Sequence, residues 1–149
     1  MKKLSALILL CILQSCNLEQ DCGQDCFTPP QSFTFQIVDN ESGENLFTNG
    51  TYEIEELKIV NVLDRDKTFE FNFITENNVG LIQLNNIGWK TEVVSLSFEV
   101  SNTSIFKFKV DAERKTANCC SFTTYKEISV KDANFELDKQ TGIYRILVE

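Results

Sequence analysis

Apolar and polar residues alternate one by one over much of the chain beyond residue 31. The clearest runs lie at residues 33–37, 69–73, 94–100 and 106–110. Successive side chains of a β-strand point to opposite faces, so this period of two buries one face and leaves the other in water. The pattern predicts a body made of β-strands, without a long helix.

Clusters of Asn, Asp, Gly and Ser separate the alternating runs and indicate turns. Residues 52–58 are ambiguous, because their glutamates suit a helical turn as well as a strand. Many short strands between turns predict an all-β domain, an antiparallel β-sandwich of immunoglobulin-like or transthyretin-like type, with a barrel as the alternative. The predicted strands are 32–39, 57–63, 68–75, 80–84, 92–100, 104–110, 121–130, 133–138 and 143–148.

Two of these strands assign the buried face most clearly. Lys107 and Lys109 occupy the alternate positions of their strand and are expected in water. The residues predicted to share the buried face are Val94, Leu96, Phe98, Phe106 and Phe108.

The first sixteen residues have a different pattern. Lys2 and Lys3 precede an apolar run over residues 4–13 that Ser5 alone interrupts. A basic start followed by a short apolar stretch is typical of a secretory signal peptide. A helix that spans a bilayer needs about 20 apolar residues, so the run is too short to act as a membrane anchor.

The end of this segment, Leu-Gln-Ser-Cys at residues 13–16, resembles the lipobox of bacterial lipoproteins. The resemblance implies transfer of diacylglycerol to the Cys16 thiol, cleavage before Cys16 and acylation of the new amino terminus, with palmitate as a typical fatty acid. An ordinary secretory signal with a coincidental cysteine is the alternative. The expected organisation is a type II signal peptide at 1–15, a lipidated polar tether at 16–30, and a single β domain at 31–149.

Residues after Cys16 bear on the location of such a lipoprotein. Asn17 stands where aspartate would resemble an inner-membrane retention signal. Glu19, Asp21 and Asp25 loosely resemble the export signal of surface lipoproteins in Bacteroidota. These resemblances imply an extracytoplasmic protein on the outer membrane, and they leave open whether it faces the periplasm or the surface.

The start of the domain, residues 35–46, runs from a strand through Asp39 and a Ser-Gly turn to an acidic and then an apolar residue. It resembles the opening hairpin of transthyretin-like and immunoglobulin-like modules. Small Bacteroidota lipoproteins of uncharacterised function often carry such modules. The resemblance implies a fold and a location, and no activity or cofactor.

Charge and composition exclude several function classes. Without Lys2 and Lys3, twelve basic residues face 22 acidic ones, a formal net charge of −10. Nucleic-acid binding depends on basic residues that neutralise phosphates, so no nucleic-acid partner is expected. An anionic membrane surface repels such a chain too, which leaves the covalent lipid as the membrane contact. Histidine is absent, which removes histidine-dependent nucleophiles and zinc sites and favours a protein that is not an enzyme.

Four cysteines remain once Cys11 and Cys16 are assigned to the signal and the lipid: Cys22, Cys26, Cys119 and Cys120. The expected compartment permits disulfides. A bond between the adjacent Cys119 and Cys120 is disfavoured by ring strain. Two long-range bridges, or a local Cys22–Cys26 bond with thiols elsewhere, stay open, and the spacing does not fit a zinc site. We predict at least one long-range bridge, with residues 112–118 in a loop.

The remaining candidates for ligand binding are weak. Asp39, Glu41 and Glu44, or the acidic stretch 64–66, do not follow a calcium-binding loop and are interpreted as solvated turns. Trp89 is a candidate ligand contact, although a single Trp more often anchors a core. The prediction is a non-enzymatic binding or structural module with an unknown protein or glycan partner. The alternatives are a carbohydrate-binding accessory, which needs an exposed aromatic row around Trp89, Tyr52, Tyr125 or Tyr144, and more remotely a carboxylate-based hydrolase.

Overall fold

The computed structural model describes residues 26–149, which form two packed β-sheets. Within that range there is no α-helix, and two short 3₁₀ turns lie at Ile54–Glu56 and Glu76–Asn78. The strands are β1 (Cys26–Phe27), β2 (Phe33–Asp39), β3 (Leu57–Asn61), β4 (Asp64–Thr68), β5 (Asn72–Ile74), β6 (Leu81–Leu84), β7 (Glu92–Val100), β8 (Thr103–Ala117), β9 (Cys120–Lys131), β10 (Asn134–Leu137) and β11 (Ile143–Val148).

The first sheet has the strand order β1-β9-β8-β7-β3-β4. Its centre is two successive hairpins, β7–β8 and β8–β9. Ser101–Asn102 and Asn118–Cys119 form the two tight turns, and all four of these residues have positive φ. Two consecutive residues of positive φ make the type I′ turn, whose twist matches that of the strands it joins. A bulge at Asp111/Ala112 interrupts the β8–β9 register.

The second sheet has the strand order β10-β11-β2-β6-β5. The all-β sandwich predicted from the alternation is therefore confirmed, but its sheets are mixed. β11 pairs with β2 in parallel, and β1 pairs with β9 in parallel, while the other pairs are antiparallel. Both parallel pairs join strands that are far apart in sequence, so no tight turn imposes opposite directions on them.

The core between the sheets is rich in phenylalanine. Phe35 contacts the rings of Phe98, Phe106 and Phe108 across the sheets, with centroid distances of 5.0, 5.5 and 4.9 Å. The five residues predicted to share the buried face of β7 and β8 are all buried, which confirms that phase of the alternation. Lys107 and Lys109 lie on the opposite face and form ion pairs with β9 and the turn after it.

Three local predictions were wrong. The predicted strand 68–75 is two strands, because the chain leaves the first sheet after Thr68 and enters the second at Asn72. The acidic turn predicted at 64–66 lies in β4, and the β3–β4 turn is instead at Val62–Leu63. The predicted loop at 112–118 continues β8 as far as Ala117, since pairing with β9 supplies the backbone hydrogen bonds of this polar stretch.

The ambiguous segment 52–58 contains both of the predicted structures, a helical turn and the start of a strand. A 3₁₀ turn over Ile54–Glu56 leads directly into β3 at Leu57. The part of the predicted tether that the structure describes is also ordered locally: β1 lies within it and adds a short strand to the edge of the first sheet.

Candidate functional site

The turn end of the β8–β9 hairpin contacts residues 26–28, which lie in the predicted tether; we call this contact the tether junction. Cys26 on β1 forms a disulfide with Cys120, the first residue of β9; their Cα atoms are 4.5 Å apart and 94 positions separate them in sequence. Backbone hydrogen bonds continue the contact, from Cys26 N to Cys119 O at 3.3 Å and from Thr28 N to Ser121 O at 2.7 Å. The long-range bridge predicted from the sequence is confirmed for this pair.

The other cysteines divide between the described residues and the rest. Cys119 is also disulfide-bonded, and it lies in the type I′ turn directly beside Cys120. The tight turn explains how adjacent cysteines both engage in bridges without the longer loop that we had predicted. Cys22 and Cys16 lie outside the described residues, so the lipid attachment at Cys16 stays a prediction.

Trp89 lies beside this junction, in the loop between β6 and β7. The loop is fixed from within by Ile87, which is fully buried, and by Gly88, whose φ is +94°. A Cβ atom at Gly88 would lie 2.9 Å from Thr123 Cγ2, so both the backbone conformation and the close packing require glycine there. Trp89 itself donates from its indole Nε1 to Asn85 O at 3.1 Å. Its side chain remains 51% exposed.

Arg114 on β8 connects the tether, the hairpin and this loop. Its Nη1 donates to Thr28 O at 2.8 Å and to Thr123 Oγ1 at 2.9 Å. The Thr123 hydroxyl in turn donates to Gly88 O at 2.6 Å. The Arg114 backbone N–H donates to Thr91 Oγ1 at 3.0 Å. Arg114 therefore joins residue 28 to β9 directly, and it is connected to the β6–β7 loop through the Thr123 hydroxyl and through its own backbone.

An exposed pair of aromatic rings covers the junction. Phe27 is 62% exposed, and its ring centroid lies 5.9 Å from that of Trp89 with 39° between the planes. The Arg114 guanidinium lies 6.0 Å from the Trp89 ring centroid, within cation–π distance. We call Phe27 and Trp89 the aromatic pair. The pair presents an apolar, aromatic surface. Neither of its side chains can act as an acid, a base or a nucleophile.

Tyr125 packs below Gly88 and contacts the residues that follow β1. Its hydroxyl accepts from Gln31 N–H at 3.2 Å, and its ring contacts Phe33 edge-on at 5.5 Å between centroids. Burial raises the pKa of the Tyr125 phenol, against weaker opposing effects of the Gln31 hydrogen bond and the Arg114 charge. The phenol therefore stays neutral at physiological pH and acts as a structural hydrogen-bonding group.

The aromatic row required for a carbohydrate platform does not assemble in residues 26–149. Tyr144 is only 9% exposed and packs against Phe35 in the core. Tyr52 contacts Phe47 and lines a cleft with Val100, at the end of β7 opposite to Trp89. Tyr125 is half-buried beneath Gly88. Trp89 is the one member of the predicted row that is well exposed, and its ring neighbour is Phe27.

Among the acidic candidates, Asp39 acts as a local turn group, whereas the stretch 64–66 lies in β4. Asp39 Oδ1 accepts from the backbone N–H and the hydroxyl of Ser42, at 2.7 and 2.8 Å, and from Glu41 N–H at 3.1 Å. The Ser42 backbone hydrogen bond is the main cause of the lowered pKa of Asp39, followed by that of its hydroxyl. Residues 26–149 contain no cluster of three or more Cys, Asp or Glu side chains suited to a metal ion.

Comparisons with protein-family profiles, with curated proteins and with solved structures find no match to this chain. No helix in the described part of the chain is long and apolar enough to cross a membrane.

Trp89, Cys26 and Cys120 are candidates from the sequence, whereas only the fold brings Phe27, Gly88 and Arg114 to the same region. A signal for Phe27 exists, because it is an isolated aromatic residue in an otherwise polar tether. Nothing in the sequence indicates that Arg114 contacts Thr28, 86 positions away.

Proposed function

We propose that the chain is an exported, lipid-anchored protein of the cell envelope whose β-sandwich acts as a non-enzymatic binding or structural module. The observation that carries the proposal is the Cys26–Cys120 disulfide, taken with the signal-like residues 1–16. Disulfides persist outside the cytoplasm, where glutathione and thioredoxin do not reduce them, so the bridge supports export. The acylated residue would be Cys16, and the outer membrane is the proposed location.

Local hydrogen bonds hold several carboxyl groups of the described residues in the ionised form. A hydrolase of this kind needs two neighbouring carboxyl groups, and the one that serves as the general acid needs a raised pKa. Among residues 26–149, the carboxyl groups with a resolved shift all have lowered pKa values: Asp39, Glu113, Glu127 and Asp138. Hydrogen bonds from neighbouring hydroxyl, amide or ammonium groups lower these values and hold the groups ionised. None of these four groups therefore suits the general-acid role of a carboxylate-based hydrolase.

The carbohydrate-binding accessory is the alternative. It draws support from the exposure of Trp89, because a sugar ring stacks on an accessible indole face. The missing tyrosine row weakens it, since Phe27 adds no hydroxyl for hydrogen bonding. A glycan array that shows binding lost in Trp89→Ala would favour this alternative over a structural module.

The lipid anchor is tested by replacing the proposed attachment residue. Cys16→Ala is expected to abolish labelling by a fatty-acid probe and to release the protein from the membrane fraction. Cys11→Ala is the matched control, because it removes a thiol from the same signal but outside the lipobox, and it should retain both label and membrane association. Membrane retention of the Cys16→Ala protein would overturn the proposal.

A further inference from the structure

The aromatic pair is exposed on a backbone that is fixed on both sides. Phe27 follows directly after the disulfide-bonded Cys26, and Trp89 lies between buried Ile87 and the hydrogen-bonded Thr91. Because the backbone is fixed at both positions, the two apolar side chains cannot move into the core. The fold therefore keeps them in contact with water. Exposed apolar patches of this kind mark interaction surfaces.

The point where the chain enters the domain indicates what covers the pair. Cys26 is ten positions after Cys16, and ten residues span at most about 35 Å when fully extended. The disulfide and the Arg114–Thr28 hydrogen bond fix the entry point at this end of the first sheet. A lipid on Cys16 therefore keeps this end of the first sheet close to the bilayer. Phe27, which follows Cys26 directly, lies at the same end.

The chemistry around the pair suits a membrane interface. Tryptophan is enriched at the headgroup level of bilayers, where its ring is neither fully wet nor fully in hydrocarbon. Two basic residues lie near the pair: Arg114, whose guanidinium is 6.0 Å from the indole centroid, and Lys90, which follows Trp89 in the chain and has a side chain that is 78% exposed. Glu92 is the acidic neighbour, and it accepts from Gly88 N–H and approaches Lys90 at 3.9 Å. Without Lys2 and Lys3 the chain carries a formal net charge of −10, so anionic headgroups repel the protein as a whole.

We propose that the aromatic pair, flanked by Lys90 and Arg114, inserts into the headgroup interface of the bilayer that carries the protein and thereby sets the orientation of the sandwich on the membrane. The inference rests on the lipid anchor proposed above. One lipid anchor on a polar tether leaves the domain free to rotate, and a second contact at the tether junction removes that freedom.

Trp89 is the only tryptophan of the chain, so its fluorescence reports on this surface alone. The lipidated protein, purified from membranes, is reconstituted into phosphatidylcholine vesicles with either plain or dibrominated acyl chains. Docking predicts a blue-shifted Trp89 emission in plain vesicles and a loss of emission in brominated ones. Unchanged emission in both vesicles would overturn the proposal.

Two variants make the test specific. Phe27→Ser removes half of the aromatic pair and is expected to reduce both the blue shift and the quenching. Phe135→Ser is the control, because Phe135 is also an exposed phenylalanine, at 43%, but lies on β10 in the second sheet. It should leave both signals unchanged. Equal quenching in the two variants would show that Phe27 takes no part in docking, and it would overturn insertion of the aromatic pair.

A separate arm keeps this inference distinguishable from the anchor itself. The chain has no histidine, so a histidine tag at the amino terminus of residues 17–149 holds it on nickel-chelating phosphatidylcholine vesicles at the place of the proposed lipid. Quenching by brominated chains in this arm supports docking even if Cys16 proves unmodified. Emission that responds to soluble oligosaccharides and not to brominated lipid would assign the pair to a glycan and overturn membrane docking.

Discussion

Phe108 provides the most direct test of how the sandwich is stabilised. It is fully buried on β8, opposite Leu96 of β7 and Val130 of β9. Its ring lies 5.1 Å from that of Phe33 and 4.9 Å from that of Phe35, so it joins the two sheets. Phe108→Ala removes these contacts and leaves a cavity that rigid neighbours fill only in part.

The expected loss follows from burial and packing. Truncation of a fully buried phenylalanine to alanine costs about 3–5 kcal/mol, because the lost transfer free energy adds to the cavity term. A domain of this size typically has a free energy of unfolding of about 5–15 kcal/mol, so the loss is a large fraction of the total. Lys107→Ala, on the neighbouring position, breaks an exposed ion pair with Asp132 and should cost no more than about 0.5 kcal/mol.

Urea unfolding followed by far-UV circular dichroism, with disulfides intact, measures both variants. We expect a large shift of the midpoint for Phe108→Ala and almost none for Lys107→Ala, with an unchanged dependence on urea concentration. Phe108→Leu, which keeps much of the volume, provides a folded intermediate case if the alanine variant does not fold. Similar losses for Phe108→Ala and Lys107→Ala would refute the assignment of the buried face.

Two further predictions concern the tether junction. Gly88→Ala is expected to destabilise the fold by about 1–3 kcal/mol and to alter Trp89 fluorescence, because alanine strains the backbone at positive φ and its Cβ meets Thr123. Gly142→Ala, at φ +74° with nothing within 4 Å, should cost less in the same urea assay, and equal costs would contradict the packing argument. Peptide mapping without reduction is expected to recover Cys26 joined to Cys120, whereas a lone Cys22–Cys26 peptide would refute that pairing.

Much of the secondary structure could be predicted because the alternation of apolar and polar residues depends only on local geometry. β7 and β11 have the predicted bounds, 92–100 and 143–148. The buried phase of β7 and β8 is also correct. The alternation does not indicate which sheet a strand joins. For this reason it predicts one strand at residues 68–75, where the structure has two. Phe69, Phe71 and Phe73 all pack on the core on the way from one sheet to the other.

Strands in polar stretches are harder to predict from the sequence, because strand pairing and not burial determines their structure. The end of β8 beyond Ala112 has no apolar period, yet its register with β9 continues to Ala117 and Cys120. Ser97 shows the reverse: it sits on the predicted wet face but is fully buried, where its hydroxyl shares a hydrogen bond with Ser104 at 2.9 Å.

The sequence by itself determined the signal-like start, the β class, the phase of the main strands and the candidate cysteines, because each depends on residue order and local chemistry. Only the tertiary structure decided that Cys26 meets Cys120, that Phe27 packs beside Trp89 and that Arg114 reaches Thr28. These contacts join residues far apart in the chain. They arise from the path of the backbone through two sheets, which no local pattern encodes.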